Sequence, residues 1–130
     1  MANELTKTEQ GMVALVDSHE IGDVLKPLIM EIHLFDSYIA GTTHLKEPEV
    51  LQSIKTGYTL HLQREENKFD DMAILILNEA GQKLGYVPEK DNVVFARLMD
   101  AGKLLKAKVT DIEMKGSFHM IRIGIWLVDF

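Results

Sequence analysis

Apolar and polar residues alternate along most of the chain, and a period of two predicts β-strands. From Ile29 to Ala40 the side chains alternate between two faces, so we expect a first strand there. Gly41 follows it, and a glycine at that point permits a bend or a close approach of the backbone. Residues 58–63 alternate in the same way and predict a second strand. Ala73–Leu77 is apolar on both faces, which is typical of a central strand.

The second half of the chain continues this pattern. Residues 78–82 have the composition of a hairpin turn and lead into a short strand, Lys83–Val87, which Pro88 ends. A fifth strand places Leu105, Ala107 and Val109 on one face. Its apolar phase then slips, and a bulge near Thr110-Asp111 accounts for the slip. The last predicted strand, Phe118–Val128, has an apolar face formed by Ile121, Ile123, Ile125 and Leu127.

Helical patterns are fewer. Pro48 suits the first turn of a short helix over Glu49–Ile54. Asp91 or Asn92 can cap a second helix that runs to Ala101. We expect its inward residues to be Val94, Phe95, Leu98 and Met99. The N-terminal part of the chain predicts a helix over Glu9–Val16 and a turn over Ile21–Leu25.

Six strands, a bulge and a few short helices predict a mainly β protein. A small curled barrel of six strands, OB-like or SH3-like, fits best because closure removes exposed strand edges. We therefore expect an N-terminal helical arm at residues 1–33 and a β-barrel domain at residues 34–130.

Composition narrows the class of protein. The 130 residues suffice for one domain with a core, and cysteine is absent, which excludes disulfides and thiolate–metal sites. No apolar run approaches the ~18–20 residues needed to span a bilayer. Residues 1–4 lack a signal-peptide pattern, so no membrane association and a cytoplasmic location are expected. The net charge of −6 argues against non-specific binding to duplex DNA.

The densest chemistry in the sequence lies in the charged turn between the second and third strands, where Asn67, Phe69, Asp70 and Asp71 follow one another closely. One interpretation is structural: Asn and Asp bond their own backbone, and Phe69 anchors the turn in the core. The other is a ligand site, in which the ring stacks on a base and a carboxylate accepts a hydrogen bond from a sugar hydroxyl. Tyr38, Tyr86 and Arg64 form a second set of candidates, for which packing is an equal alternative.

Catalysis has little support in the sequence. The five histidines do not fall at recognised metal-ligand spacings, and no glycine-rich phosphate loop is present. We therefore expect no enzyme activity, no cofactor and no metal. An enzyme that uses Asp70 and Asp71 with a divalent ion remains a weaker hypothesis.

Several segments together resemble the HIRAN domain family, in particular its small stand-alone bacterial members. They are Tyr38–Gly41, Leu62–Asp70, Ala73-Ile74, Leu84–Pro88 and Ala96–Gly102, and the resemblance extends roughly from Phe35 to Val128. It implies an OB-like six-stranded barrel with two helices. The best-understood relatives are N-terminal modules of fork-remodelling SWI/SNF ATPases that capture the 3′-hydroxyl end of single-stranded DNA, which implies a setting in DNA repair.

The resemblance also implies roles for individual residues. Asp70 accepts the terminal 3′-hydroxyl, Phe69 and Tyr38 stack on terminal bases, and Asn67 contacts the backbone nearby. Gly41 allows the strand to approach, and Tyr86 falls where the relatives place another ligand-contacting side chain.

This chain departs from the family pattern at four positions. Ser37 replaces a basic residue, Ile39 a second aromatic, Met72 an asparagine and Glu89 a lysine that meets the DNA backbone. The first functional hypothesis is a non-catalytic module for single-stranded DNA 3′ ends. The second is a protein-interaction or oligomerisation domain, with a homo-oligomer formed through the N-terminal arm.

Overall fold

The computed structural model of the protein describes residues 30–129. The strands are β1 (Met30–Tyr38), β2 (Thr59–Glu65), β3 (Ala73–Leu77), β4 (Lys83–Tyr86), β5 (Leu104–Lys115) and β6 (Phe118–Asp129). The α-helix of this region, α1, is Glu89–Asp100, and short 3₁₀ helices cover Thr42–His44 and Pro48–Ser53. The predicted mainly β class is confirmed. The predicted helix Glu9–Val16 and turn Ile21–Leu25 lie outside the described residues.

The longest element is the β5–β6 hairpin, and its interior follows the predicted alternation. Leu105, Ala107 and Val109 from β5 and Ile121, Ile123 and Ile125 from β6 are all buried. The pairing register shifts between Val109 and Asp111, which confirms the predicted bulge. Residues 116–117 connect the two strands. Apolar alternation therefore fixes which face of this hairpin meets the core.

The six strands form one sheet in the order β1-β6-β5-β2-β3-β4, so β1 and β4 are its edges. The sheet curls until the residue after Ile39 meets β4. There Ala40 and Tyr86 exchange two backbone hydrogen bonds of 2.8 and 2.9 Å. The predicted curl is present, but the edges meet at this isolated bridge and the barrel is not closed by a continuous ladder.

Gly85 makes the meeting of the two edges possible. A Cβ atom at this position would overlap the Ala40 carbonyl oxygen and would lie 2.6 Å from Cγ2 of Ile39. Only a residue without a side chain allows β4 to approach so closely. Gly41, with φ of 76°, then turns the chain in a left-handed conformation into the first 3₁₀ helix. Both glycines lie beside the region where the sequence predicts the site.

Helix α1 differs from its prediction in two respects. It begins at Glu89 rather than after Asp91 or Asn92, and neither of these residues caps it. Asn92 lies within the helix and is 1% exposed, and its side chain donates a hydrogen bond to Asp70 in the charged turn. The buried residues of the helix are therefore Asn92, Phe95 and Ala96. Val94 was predicted to point inward, but its side chain is 63% exposed. The helix predicted over Glu49–Ile54 is present as the 3₁₀ helix Pro48–Ser53.

None of the helices described between residues 30 and 129 has the length and apolar character needed to cross a bilayer.

Candidate nucleic-acid interface

A cleft of about 340 Å³ opens where the end of β1, strand β4 and the charged turn come together. Five of the six predicted site residues line it: Gly41, Asn67, Phe69, Asp70 and Tyr86. The other lining residues are Ala40, Ala73, Val87 and Glu89. We call this cleft, with these nine residues, the end cleft. The fold thus brings together residues that lie up to 49 positions apart in the sequence.

The charged turn is built on the side chain of Asn67. Its Oδ1 accepts hydrogen bonds from the backbone N–H groups of Phe69, at 2.9 Å, and Asp70, at 2.7 Å. Oδ1 of Asp70 in turn accepts from the backbone N–H of Met72 at 2.9 Å. These bonds are the local side-chain turns that the structural interpretation predicts for Asn and Asp. They fix the backbone on both sides of Phe69.

Phe69 does not anchor this turn in the core. Its side chain is 86% exposed, so the structural interpretation is wrong for this residue. An aromatic ring held on a fixed turn and open to solvent offers a stacking surface. The exposed fraction is the largest among the exposed large apolar side chains of the described region.

Asp70 is held from a second direction by helix α1. Its Oδ2 accepts a hydrogen bond from Nδ2 of Asn92 at 2.8 Å. Asn92 is almost fully buried, and its own Oδ1 has no hydrogen-bond partner in the described structure. The sequence pattern predicts Asp91 or Asn92 as a helix cap and does not reveal this contact. In the sequence Asn92 is only a polar residue near a predicted helix start, and a capping role explains that pattern without any contact to Asp70.

Glu65 connects the two sides of the end cleft. Its Oε1 accepts hydrogen bonds from the hydroxyl of Tyr86 at 2.7 Å and from Nδ2 of Asn67 at 3.0 Å. These two bonds, that from Tyr86 first, lower the pKa of the Glu65 carboxyl below its ordinary value. Lys83 donates to the Tyr86 hydroxyl at 3.2 Å. Glu65 was also missed, because nothing in its local sequence distinguishes it from any other solvated acid.

Arg64 links the charged turn to helix α1 through hydrogen bonds to both. Its guanidinium donates to both carboxylate oxygens of Asp100, at 2.8 and 3.2 Å. It also donates to the backbone carbonyls of Asp71, at 2.9 Å, and Ala73, at 2.8 Å. The bond to Asp100 raises the pKa of Arg64, and the same bond lowers the pKa of the Asp100 carboxyl. Arg64, a candidate from the sequence, therefore holds the turn in place and does not line the end cleft.

Tyr38, the sixth predicted site residue, lies outside the end cleft. It lines a separate depression with Asp36, Ser37, Thr110, Met120 and Arg122. Nζ of Lys90 lies 5.5 Å from the centre of the Tyr38 ring. Ala40, two residues further along the chain, does line the end cleft, so the two depressions are neighbours along the backbone.

The sequence matches the family model of the HIRAN domain over residues 32–120, which is more than half of the chain. The protein belongs to the HIRAN domain family. Its structure is similar to that of a protein from Lactobacillus plantarum, with a TM-score of 0.72 and 27% identity. That match covers 78% of this chain and 99% of the other. A comparison with curated proteins finds no match.

The HIRAN domain of human HLTF has the same fold. Its crystal structure gives a TM-score of 0.61 at 17% identity and covers 75% of this chain and 78% of the other. Its NMR structure gives a TM-score of 0.52 at 18% identity, with 75% and 79% covered. At such identities the likeness shows the fold alone.

The departures from the HIRAN pattern fall in different environments. Ile39, at the position where the resemblance implies a second aromatic, is 2% exposed and belongs to the hydrophobic core. Ser37 donates a hydrogen bond to Asp91 in helix α1 at 3.0 Å. Met72 packs against the core, and Glu89 lines the end cleft. Ile39 and Met72 therefore have packing roles, and Ser37 has a hydrogen-bonding role. Glu89 adds a carboxylate to the lining of the end cleft.

The described region contains no cluster of side chains suited to a metal centre. Between residues 30 and 129 no three histidine, aspartate or glutamate side chains converge in a way that could hold an ion.

Proposed function

We propose that this protein is a non-catalytic module that binds the 3′-hydroxyl end of single-stranded DNA in the end cleft. HIRAN domains bind DNA, which supports a nucleic acid as the ligand. The observation that carries the proposal is the pairing of the half-buried Asp70 carboxylate with the exposed Phe69 ring at one open cleft. One group recognises a hydroxyl, and the other recognises the face of a base.

The carboxylates of the cleft favour a hydroxyl over a phosphate. Asp70 and Glu89 both line it, and two negative groups repel a phosphate dianion while they accept hydrogen bonds from a sugar hydroxyl. Each oxygen of Asp70 accepts one bond from the protein, which leaves acceptor sites on both oxygens. The ligand that fits is therefore a strand terminus that carries no phosphate.

Aromatic surfaces supply the rest of the recognition. Phe69 offers its ring to the terminal base, and Tyr86, whose hydroxyl donates to Glu65, forms another part of the cleft wall. In this proposal Tyr38, whose depression is next to the cleft along the backbone, stacks on a preceding base. Base–aromatic stacking contributes about 1–3 kcal/mol per base, so two such platforms suffice for micromolar binding only when phosphate contacts add to them.

Fluorescence anisotropy with short oligothymidylates labelled at the 5′ end tests the proposal. We expect the 3′-hydroxyl strand to bind and the 3′-phosphate strand to bind at least about tenfold more weakly, because the repulsion at Asp70 and Glu89 is of order 1.4 kcal/mol or more. Phe69→Ala should weaken binding by roughly tenfold or more, with folding intact because the ring makes no core contact. Phe118→Ala, at a half-exposed ring outside the end cleft, is the matched control.

Asp70→Asn separates the hydroxyl contact from simple stacking. Asparagine keeps an acceptor oxygen but removes the negative charge, so the preference for a 3′-hydroxyl over a 3′-phosphate should shrink more than the affinity itself. Thermal unfolding of this variant checks that the bonds to Met72 and Asn92 are retained or replaced. Equal binding of both strand types by the unmodified protein refutes the end-capture proposal.

The alternative function is a protein-interaction or oligomerisation module. One observation favours it: Phe35, 41% exposed, and Val94, 63% exposed, border an apolar cleft between β1 and α1. Light scattering over a range of protein concentrations tests this alternative. A mass that rises with concentration, together with no binding to either oligonucleotide, would favour it over the DNA-end module.

A further inference from the structure

Two lysine–aromatic pairs involve rings of the end cleft, and a third involves Tyr38 in the neighbouring depression. Nζ of Lys68 lies 5.2 Å from the centre of the Phe69 ring, and Nζ of Lys83 lies 4.5 Å from that of Tyr86. The third pair is Lys90 over Tyr38, at 5.5 Å. Phe69 and Tyr86 line the cleft itself. Lys90 follows Glu89 of the cleft lining in the sequence, and Tyr38 stands two residues before Ala40.

These ammonium groups differ from the other paired lysines of the described region. Lys106 and Lys108 form ion pairs with Glu31, which neutralises part of their charge. Between residues 30 and 129, Lys68, Lys83 and Lys90 make no ion pair within 4.0 Å. A lysine held over an aromatic ring keeps its full charge and stays available to an anion. Lys83 gives one of its three donors to the Tyr86 hydroxyl, which leaves two for a ligand.

The sign of the charge thus changes from the inside of the cleft to its edge. Asp70 and Glu89 line the cleft, and Lys68 and Lys83 stand beside two of its aromatic rings. Lys90, next to Glu89 in the sequence, stands beside Tyr38 of the neighbouring depression. A ligand that matches this order has an uncharged hydroxyl terminus and negative groups spaced along the chain behind it. That is the charge pattern of a single strand of nucleic acid that enters by its 3′ end.

We propose that Lys68, Lys83 and Lys90 contact the backbone phosphates of the strand whose end occupies the cleft. This inference rests on the proposed function and assigns to three lysines of this chain the cationic contacts of the site. Each ring then stacks on a base while the neighbouring ammonium contacts an adjacent phosphate, so that base and phosphate are held by one pair of side chains. Glu89 takes no part in phosphate binding and belongs to the hydroxyl-selective interior.

The salt dependence of binding tests the three contacts directly. Each phosphate contact on a single strand contributes about −0.7 to the slope of log K against log salt, so three contacts predict a slope near about −2. Raising the salt concentration from about 50 to about 200 mM should then weaken binding of the 3′-hydroxyl oligothymidylate by roughly 20-fold. Each single Lys→Gln variant should reduce the slope by about 0.7, and the triple variant should remove nearly all of it.

Two controls distinguish charge from structure. Lys55→Gln removes an exposed lysine outside the end cleft and should leave the slope unchanged. The triple Lys→Arg variant keeps the charges and should restore the slope that the triple Lys→Gln variant loses. Circular dichroism and thermal unfolding confirm that each variant is folded.

The outcomes separate this inference from the proposed function. If the 3′-hydroxyl strand binds and Phe69→Ala weakens it, but the Lys→Gln variants keep the slope of the unmodified protein, the lysine contacts are refuted and the end-binding function stands. If the unmodified protein binds no single strand at low salt, both fall together.

Discussion

The β5–β6 hairpin and the end cleft are held together by different interactions. The hairpin is continuous in sequence, and its inward side chains Ile121, Ile123 and Ile125 have no exposed surface. The cleft is fixed by polar bonds between distant residues, such as Arg64 with Asp100 and Asp70 with Asn92, 36 and 22 positions apart. Apolar burial therefore stabilises the fold, and a small set of directional bonds stabilises the site.

This difference separates the consequences of mutation. A change in the hairpin interior should lower the free energy of unfolding and leave the proposed preference for a strand end unaltered. A change in the polar bonds around the cleft should alter ligand binding in larger proportion than stability. A change at the bridge between Ala40 and Tyr86 should affect both stability and ligand binding. This bridge joins the two edges of the sheet, and both of its residues line the cleft.

The largest effect is expected for Gly85→Ala. The added Cβ would overlap the Ala40 carbonyl oxygen and crowd Ile39, so β4 must move away from the end of β1. We expect a loss of about 3 kcal/mol in the free energy of unfolding, measured by urea denaturation, with loss of oligonucleotide binding. Gly81→Ala is the control: its φ is 82° but no atom lies within 4 Å, so strain alone should cost about 1 kcal/mol. Equal losses would show that the close approach is not needed.

A smaller effect is expected at Arg64. Arg64→Met keeps much of the aliphatic stem but removes the bonds to Asp100 and to the carbonyls of Asp71 and Ala73. The freed carbonyls at the end of the turn should lower stability by about 2 kcal/mol and weaken ligand binding. Asp100→Asn breaks only the exposed ion pair, which salt screens, and keeps the carbonyl bonds.

Comparing Arg64→Met with Asp100→Asn identifies which bonds hold the turn. Urea denaturation gives the stability, and anisotropy with the 3′-hydroxyl strand gives the binding. If Asp100→Asn reduces binding as much as Arg64→Met, the ion pair and not the bonds to the turn carbonyls positions Phe69.

The same contrast explains what could be predicted from the sequence. Leu105, Ala107 and Val109, the bulge after them and the burial of β6 were predicted because alternation is a local signal with a single meaning in a sheet. The predicted start and cap of helix α1 were wrong because contacts from other elements decide them. Asp91 and Asn92 fit a helix cap locally, but the bonds from Ser37 to Asp91 and from Asn92 to Asp70 come from other elements.

The site was predictable only in part for the same physical reason. Asn67, Phe69 and Asp70 lie within four residues, so their chemistry is visible in one turn. Gly41 and Tyr86 were placed with them through the family resemblance, and the end cleft does contain both. The lysines around the cleft and Glu65 were not found, because their meaning depends on which rings and hydroxyls the curled sheet brings near them.

The smallest effect concerns pH and the carboxyl of Glu65. Hydrogen bonds from Tyr86 and Asn67 lower its pKa below the ordinary value of 4.5, so they contribute stability that is fully present above that value. This stability is lost as the pH falls through the lowered pKa of the folded protein. Glu65→Gln keeps an acceptor oxygen but cannot titrate, and its stability should therefore decline less steeply in acid.

Urea midpoints measured on both sides of pH 4.5 for the unmodified protein and Glu65→Gln give the comparison. The acid dependence should become shallower and not vanish, because the pKa values of Asp100 and Glu31 are lowered in the same direction by Arg64 and by Lys106. Glu66→Gln removes a neighbouring exposed charge from the same turn and serves as the control. Parallel curves for the unmodified protein and Glu65→Gln would mean that the bonds from Tyr86 and Asn67 do not favour the charged form. The wall that Tyr86 forms in the end cleft would then depend on the bridge to Ala40 alone.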